Sequence, residues 1–156
     1  MVVDAVEPAP PEVVALLSRL IQFDTTNWGH GRCDGEREAA EWVAAELAGA
    51  GWAPQLLARP DARERVNVVL RIPGSDRTLP ALLVHAHLDV VPAEAADWSV
   101  NPFGGEVRDG YVWGRGAVDM KDMAASTLAT VLWGRRTVPT TITGTIIASQ
   151  NVGRVP

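Results

Sequence analysis

The chain contains a single cysteine and no long apolar segment, and each of these absences excludes a class of protein. Cys33 has no second cysteine with which to form an internal disulfide. No apolar run approaches the ~18 residues that are needed to span a bilayer. The beginning of the chain is acidic and rich in proline, whereas a secretory signal is basic and then apolar. We therefore expect a soluble, cytoplasmic protein with no membrane partner.

Basic residues are also too few for a protein that binds nucleic acid. Lys and Arg number 14 against 19 Asp and Glu, which gives a net charge of −5 and an isoelectric point near 5.1. Phosphate backbones attract basic surfaces, so this balance excludes nucleic acid as the expected partner. Of the 156 residues, 47% are hydrophobic and 21% are charged, which is the composition of one folded domain with a single core.

Apolar residues recur with helical or strand spacing along most of the chain. The spacing predicts helices over residues 11–22, 36–47 and 120–133, and strands over residues 53–58, 66–72, 81–91 and 140–148. Residues 106–113 carry Asp109-Gly110 at their centre, which predicts a hairpin, and the polar residues 24–35 are expected to form a loop. The apolar letters LLVHA within 81–91 are typical of a buried parallel strand. Together these elements predict an α/β fold.

The first group of residues that can do chemistry follows this strand in the letters VHAHLDVVP. Side chains of a strand alternate, so His85, His87 and Asp89 are expected on one side, at the carboxyl end of the strand where open α/β sheets bind ligands. A neutral imidazole binds zinc well, and a carboxylate two residues later can accept the hydrogen bond from its other nitrogen. The other interpretation is that these histidines only pack and form hydrogen bonds at a strand end.

The second group is GRGAVDMKD, residues 114–122. It lacks the Gly-Lys-Ser/Thr of a phosphate-binding loop and the third glycine of a dinucleotide-binding fingerprint, so nucleotide binding is poorly supported. Asp119 directly precedes a predicted helix and could be its N-cap, with Lys121 and Asp122 as solvated residues of the first turn. A carboxylate at a helix start among glycines is equally suited to bridging metal ions. Spacing alone leaves both interpretations open.

The two groups in this order resemble the co-catalytic di-zinc metallopeptidase and deacylase family, which includes aminoacylase, acetylornithine deacetylase, succinyl-diaminopimelate desuccinylase and the glutamate carboxypeptidases. The resemblance covers roughly residues 11–133. The matching positions are the His-x-Asp-Val-Val-Pro motif at residues 87–92, the linking residues Trp98, Pro102, Phe103, Asp109, Gly110, Gly114, Arg115 and Gly116, the Asp-Met-Lys motif at residues 119–121, and Asp24, Thr25 and Asn27 near the N-terminus. Two separated motifs in the correct order are far more specific than either motif alone.

This resemblance implies the fold, the metals and the roles of individual residues. The fold would be part of a three-layer α/β/α catalytic domain with a mostly parallel mixed sheet. The site would hold two zinc ions with a water between them, and cobalt or manganese could substitute for zinc. His87 would bind one zinc and Asp119 would bridge both, while Asp89 would have the catalytic role of orienting His87. His85 would have a supporting role, and the Asp119–Met120 peptide bond would be cis.

The reaction implied by the resemblance is the hydrolysis of an amide bond in a small peptide or N-acyl amino acid, as in a dipeptidase, a carboxypeptidase or a deacylase. The family completes its site with an adjacent pair of glutamates after the next strand, a later acidic ligand and a C-terminal histidine. No Asp or Glu follows Asp122 in this chain. With so few ligands and no base, we expect weak zinc binding and no activation of water.

Two interpretations of this incomplete site follow. In the first, residues 11–149 are the N-terminal part of a hydrolase domain, between a flexible N-terminus (1–10) and a divergent tail (150–156). An incomplete record, an early stop or a frameshift near residue 135 would explain the missing parts, and the loss of acidic residues favours the frameshift. The family's dimerisation and lid domain would be absent, so a dimer is expected only for a full-length form. In the second, the chain is an inactive product that acts as a weak metal-binding or interaction module.

Overall fold

The helices and strands come mostly where the apolar spacing predicts them. The computed structural model describes residues 10–74, 76, 78, 80, 82–137 and 144–148. Its helices are α1 (Pro11–Ile21), α2 (Arg37–Gly49) and α3 (Lys121–Thr137), and its strands are β1 (Asn27–Gly29), β2 (Arg32–Cys33), β3 (Gln55–Arg59), β4 (Ala62–Ile72), β5 (Leu82–Ala86), β6 (Glu106–Arg108), β7 (Tyr111–Trp113) and β8 (Gly144–Ala148). The predicted flexible N-terminus (apart from Pro10), the predicted tail and the first residues of the last predicted strand lie outside the described residues.

Helix α1 illustrates how the sequence determines these elements. Pro11 occupies the first turn, where its fixed φ suits the helix and its missing N–H costs no hydrogen bond. Glu12 adds an acidic side chain at the positive end of the helix dipole. The face formed by Leu16, Leu17, Leu20 and Ile21 is buried in the common core. Among the described residues, no helix is both long and apolar enough to cross a membrane.

A four-stranded mixed sheet in the order β3-β4-β8-β5 forms the centre of the structure. Strand β5 pairs with β8 in parallel, from Leu82 opposite Gly144 to Ala86 opposite Ala148. The pairs β3–β4 and β4–β8 are antiparallel. The α/β class with a mixed sheet is therefore confirmed, although parallel pairing takes a smaller share of the described strands than the resemblance implies.

The prediction that β5 is a parallel strand is confirmed, whereas the prediction that it is buried is wrong. The strand is parallel, but Leu82 is 61% exposed, Leu83 is 56% exposed, and the strand ends at Ala86 rather than near residue 91. Helices pack on one face of the sheet, where the alternate residues of β4 from Val66 to Ile72 are buried. An apolar run can therefore lie on a sheet that has only one covered face in the described part of the chain.

Two hairpins lie outside this sheet. The predicted one is confirmed: β6 and β7 pair antiparallel around Asp109 and Gly110, whose φ values of 54° and 81° give the turn that matches the twist of the strands. The second hairpin joins β1 and β2 within residues 24–35, which were expected to form a loop. These strands are only three and two residues long, too short for an alternating pattern to reveal them.

Candidate metal site

The segment that follows β5 presents His87 and Asp89 on one side. Alternation of burial continues beyond the strand, so that Ala86, Leu88 and Val90 are buried while His87 and Asp89 are only partly covered. This segment is tied to the residues after α1. The Thr25 hydroxyl donates to the Leu88 carbonyl over 2.6 Å, and the Val90 amide donates to the Thr25 carbonyl over 3.1 Å.

Asp119 arrives from the other side, at the end of the glycine-containing loop before α3. Gly116 turns this loop with a φ of 85°, and its carbonyl accepts the amide of Lys121, the first residue of the helix. The Asp119–Met120 peptide bond is cis, as the resemblance implies. The Asp119 side chain is 87% exposed and its Oδ1 lies 3.1 Å from His87 Nε2. The structure thus brings the two motifs together across 32 positions of sequence.

Both ring nitrogens of His87 face oxygen atoms. Nδ1 lies 3.0 Å from the main-chain carbonyl oxygen of Asp89 and 3.2 Å from its Oδ1, and both of these atoms can only accept when the carboxyl group is ionised. Nδ1 must therefore carry the proton in a neutral ring. Nε2 then presents a lone pair to the Asp119 carboxylate, and two lone pairs at this distance attract only when a proton or a metal cation lies between them.

The donor types and their spacing fit zinc. Two ligands at ~2.1 Å from a tetrahedral zinc ion lie roughly 3.4 Å apart, close to the observed separation of His87 Nε2 and Asp119 Oδ1. The two residues border an open pocket of about 480 Å³. No group of three or more His, Cys, Asp or Glu side chains is suitably placed for a metal ion within the described residues. The separation of His87 Nε2 and Asp119 Oδ1 therefore suits two ligands of one tetrahedral metal ion.

Asp89 has polar partners that sequence reasoning did not identify. Asn27 Nδ2 donates to Asp89 Oδ2 over 2.8 Å, and Arg65 Nη2 lies 3.6 Å from the same oxygen. Arg65 Nε in turn lies 3.1 Å from Oε1 of the fully buried Glu36. Burial raises the pKa of Glu36 to about 7, while the charge of Arg65 acts to lower it and that of Asp89 to raise it. The one sequence signal for Arg65 is the alternation along β4, which places its side chain on the face of the strand away from the buried Val66.

Lys121 corrects the expectation of a solvated first-turn residue. Its side chain is fully buried, and Nζ donates to the Phe23 carbonyl over 2.8 Å. Burial lowers the pKa of Lys121 to about 8, and the carboxylates of Asp24 and Asp89 act in the opposite direction. The ammonium group therefore connects the start of α3 to the segment that follows α1.

The remaining candidates lie around the pocket or away from it. Arg115 borders the pocket and its guanidinium carbon lies 5.2 Å from the centre of the Trp98 ring, within the range of a cation–π contact. His85 is exposed, one alternation before His87 on the same side. His30 and Cys33 border a separate groove near the β1–β2 hairpin.

Comparison with known proteins agrees with the motifs. Residues 83–147 match the model of peptidase family M20/M25/M40. The chain is 38% identical over 100 residues to a succinyl-diaminopimelate desuccinylase of Methylorubrum extorquens, which covers 62% of this chain and 25% of that protein. It is 48% identical over 54 residues to the N-fatty-acyl-amino acid synthase/hydrolase PM20D1 of Xenopus tropicalis, covering 35% of this chain and 10% of that protein.

Solved structures agree on the fold. An M20 family metallo-carboxypeptidase from Sulfolobus solfataricus superposes with a TM-score of 0.70 at 17% identity, covering 90% of this chain and 30% of that one. Human carnosine dipeptidase 1 superposes with a TM-score of 0.64 at 22% identity, covering 92% of this chain and 33% of that one. The chain thus spans a quarter or less of the length of these two curated relatives and about a third of these solved structures.

The family match also bears on the end of the described chain. It continues to residue 147, past the point near residue 135 where the loss of acidic residues suggested a change of reading frame. Strand β8, which lies within the matched range except for its last residue, pairs with both β4 and β5. Residues 83–147 thus match the model of peptidase family M20/M25/M40, and the family resemblance expected from the two motifs is confirmed.

Proposed function

We propose that this chain supplies one part of the catalytic site of a zinc-dependent amide hydrolase. His87 and Asp119 are the zinc ligands in this proposal, with Asp119 shared between two ions, and Asp89 orients His87. The observation that carries it is the pair His87 Nε2 and Asp119 Oδ1, which face each other 3.1 Å apart and require a cation or a proton between them. Cobalt or manganese would be accepted in place of zinc, because imidazole and carboxylate also bind these ions.

When bound, zinc would polarise the carbonyl of the scissile amide and acidify the attacking water. The residues of this chain prepare for that role. Asp89 accepts from Nδ1 and so directs the lone pair of Nε2 toward the pocket. The exposed Asp119 leaves its second carboxylate oxygen available for a further ion. No Asp or Glu follows Asp122 in the 156 residues, so none of residues 123–156 supplies a carboxylate base that could take the proton of the water.

Small peptides and N-acyl amino acids are the substrates we propose for the complete enzyme. The curated relatives are named a succinyl-diaminopimelate desuccinylase and an N-fatty-acyl-amino acid synthase/hydrolase, and both names refer to N-acyl amino acids. We further propose that the enzyme acts in the cytoplasm and that its partners are small substrates, with no nucleic acid or membrane among them. Without the glutamate pair, we expect no turnover by the 156-residue chain itself.

The second candidate is a weak metal-binding or interaction module without catalysis. The absence of any acidic residue after Asp122 favours it, because a zinc site with two protein ligands binds its ion weakly. The exposed Leu82 and Leu83 on β5 would then form part of an interaction surface.

Zinc binding by the 156-residue protein tests the proposal. We expect weak, substoichiometric binding in competition with a fluorescent chelator, and a loss of affinity of about tenfold or more in His87→Ala. His85→Ala is the matched control, since His85 is an exposed histidine on the same side, and it should change the affinity little. Equal affinity in all three proteins would refute the assignment of His87.

Turnover is measured on the same samples with a panel of dipeptides and N-acyl amino acids. No hydrolysis is expected from the wild-type chain, with or without added zinc. Tightly bound paired zinc and hydrolysis that His87→Ala abolishes would instead show that the chain has a complete site, and the account of its missing ligands would be wrong.

A further inference from the structure

The carboxylate of Asp89 is held on the side opposite His87. Its Oδ1 faces His87 Nδ1, while its Oδ2 accepts from Asn27 Nδ2 over 2.8 Å and lies 3.6 Å from Arg65 Nη2. Rotation of the carboxylate would break the contact with Asn27 and the ion pair with Arg65. The Asp89 side chain is only 15% exposed, so little water is available to replace these partners.

Arg65 is itself fixed by a second, deeper carboxylate. Its Nε lies 3.1 Å from Glu36 Oε1, and the Glu36 side chain is completely buried. The main chain of Glu36 is anchored on both sides, because its amide donates to the Glu64 carbonyl and its carbonyl accepts the Ala40 amide. One guanidinium therefore joins the start of α2 to the segment that carries His87.

Asn27, in β1, is also fixed by hydrogen bonds. Its amide nitrogen donates to the Val90 carbonyl over 2.8 Å, and its Oδ1 accepts the Gly29 amide over 3.0 Å. With Oδ1 occupied in this way, Nδ2 is the atom turned toward Asp89. A polar chain thus runs from Glu36 through Arg65 and Asp89 to His87, with Asn27 joining it at Asp89.

We propose that Asn27 and Arg65 are positioning residues of the metal site, which hold Asp89 as the acceptor for His87 Nδ1, and that Glu36 fixes Arg65 for this role. The proposal rests on the assignment of His87 as a zinc ligand. It extends the site to Asn27, Arg65 and Glu36, which precede Asp89 by 62, 24 and 53 positions. It also gives a reason for the position of Arg65 beside the Asp89 carboxylate, which must accept a hydrogen bond from His87 Nδ1.

The test combines a spectroscopic signal with zinc affinity in the 156-residue protein. A hydrogen bond from an imidazole N–H to a carboxylate moves the proton resonance of His87 Nδ1 downfield and slows its exchange with water. We expect Asn27→Ala and Arg65→Gln to move this resonance upfield or remove it by exchange, and to weaken zinc binding by about tenfold. Asp89→Asn gives the reference spectrum for the loss of the charged acceptor.

Arg71→Gln is the matched control. Arg71 lies on β4 on the same side as Arg65, is exposed, and is six positions farther along the strand. Its replacement should leave the resonance and the zinc affinity unchanged. Circular dichroism verifies that each variant is folded. If Arg65→Gln does not fold, Asn27→Ala, at a half-exposed residue of β1, still tests whether partners of Asp89 Oδ2 position the carboxylate.

The outcomes separate this proposal from the proposed function. If His87→Ala abolishes zinc binding while Asn27→Ala and Arg65→Gln leave both the resonance and the affinity unchanged, the positioning role is refuted and the zinc ligand stands. If His87→Ala leaves zinc binding unchanged, the proposed function itself fails.

Discussion

The two sides of the candidate metal site differ sharply in how they are held. Asp89 is 15% exposed and has partners from three parts of the chain, whereas Asp119 is 87% exposed and meets His87 from a loop. His87 lies between them. The inner side, with Asp89, is thus organised by the described residues. The outer side, with Asp119, is shaped by the loop but open to solvent. A metal or a further part of the protein has most to contribute there.

The largest difference between the two sides is expected from truncating one apolar residue in each. Leu88 is completely buried between His87 and Asp89, so Leu88→Ala should lower the free energy of unfolding by about 2–5 kcal/mol. Val118 is 83% exposed beside Asp119, and Val118→Ala should change it by less than about 0.5 kcal/mol. Urea denaturation of both variants measures the comparison, which fails if the two losses are equal.

The buried Glu36 makes the inner side sensitive to pH. Its pKa is 4.5 in the unfolded chain and about 7 in the folded one, so the folded state binds the proton more tightly between these values. Its contribution to stability is therefore fully present below pH 4.5 and is lost as the pH rises to about 7, by up to about 3 kcal/mol.

Glu36→Gln should remove this fall, which urea denaturation across the same pH range would detect as a difference in slope from the wild type. Glu38→Gln, at an exposed position two residues later, should leave the slope unchanged. If wild type and Glu36→Gln follow the same pH dependence, Glu36 remains charged in the folded state and its ion pair with Arg65 outweighs its burial.

A glycine substitution tests whether the outer loop is shaped by packing at its base. A methyl group on Gly114 would overlap the Ile21 side chain and lie 2.9 Å from the Pro102 carbonyl oxygen. Gly114→Ala should therefore destabilise the protein by about 2 kcal/mol. Gly110 also has a positive φ but no atom within 4 Å of an added methyl, so Gly110→Ala should cost about 1 kcal/mol. Thermal unfolding would rank them, and an equal loss would mean that only φ matters.

The smallest effect is expected from one hydrogen bond that fastens the inner side. Thr25→Val keeps the shape of a buried side chain but removes its donor to the Leu88 carbonyl, at a cost of about 1–2 kcal/mol. Thr130→Val removes a similar bond, to the Ser126 carbonyl, on the exposed side of α3 and should cost less than about 0.5 kcal/mol. Amide hydrogen exchange at residues 88–90 should accelerate in the first variant only.

Local sequence patterns predict the structural features that depend on residues close together in sequence. Alternation correctly placed His87 and Asp89 on one side, and Asp109-Gly110 predicted its hairpin. The family motifs predicted that Asp119 belongs with His87, which no periodicity could have done. The roles of these three residues at a metal remain predictions.

Contacts between distant segments account for what the sequence did not reveal. Arg65 and Glu36 are ordinary charged residues in their own segments, and their connection to Asp89 exists only once α2, β4 and the segment after β5 are packed together. Lys121 had the pattern of a solvated helix start because its partner, the Phe23 carbonyl, lies 98 positions earlier. Burial of β5 was overestimated because an apolar run does not show whether one face of a sheet or both are covered.

The pairing of residues 25–27 with residues 88–90 also determines when the site can form. Thr25 must wait for a partner 63 positions later, and closing a loop of that length is slow compared with forming a helix. Asp119 follows His87 by another 32 positions. Strand β5, which leads into the segment with His87 and Asp89, is joined to β4 through β8, whose residues 144–148 come after Asp119. During synthesis from the N-terminus, Asp89 and Asp119 therefore reach their places together, once the chain that forms β8 has left the ribosome.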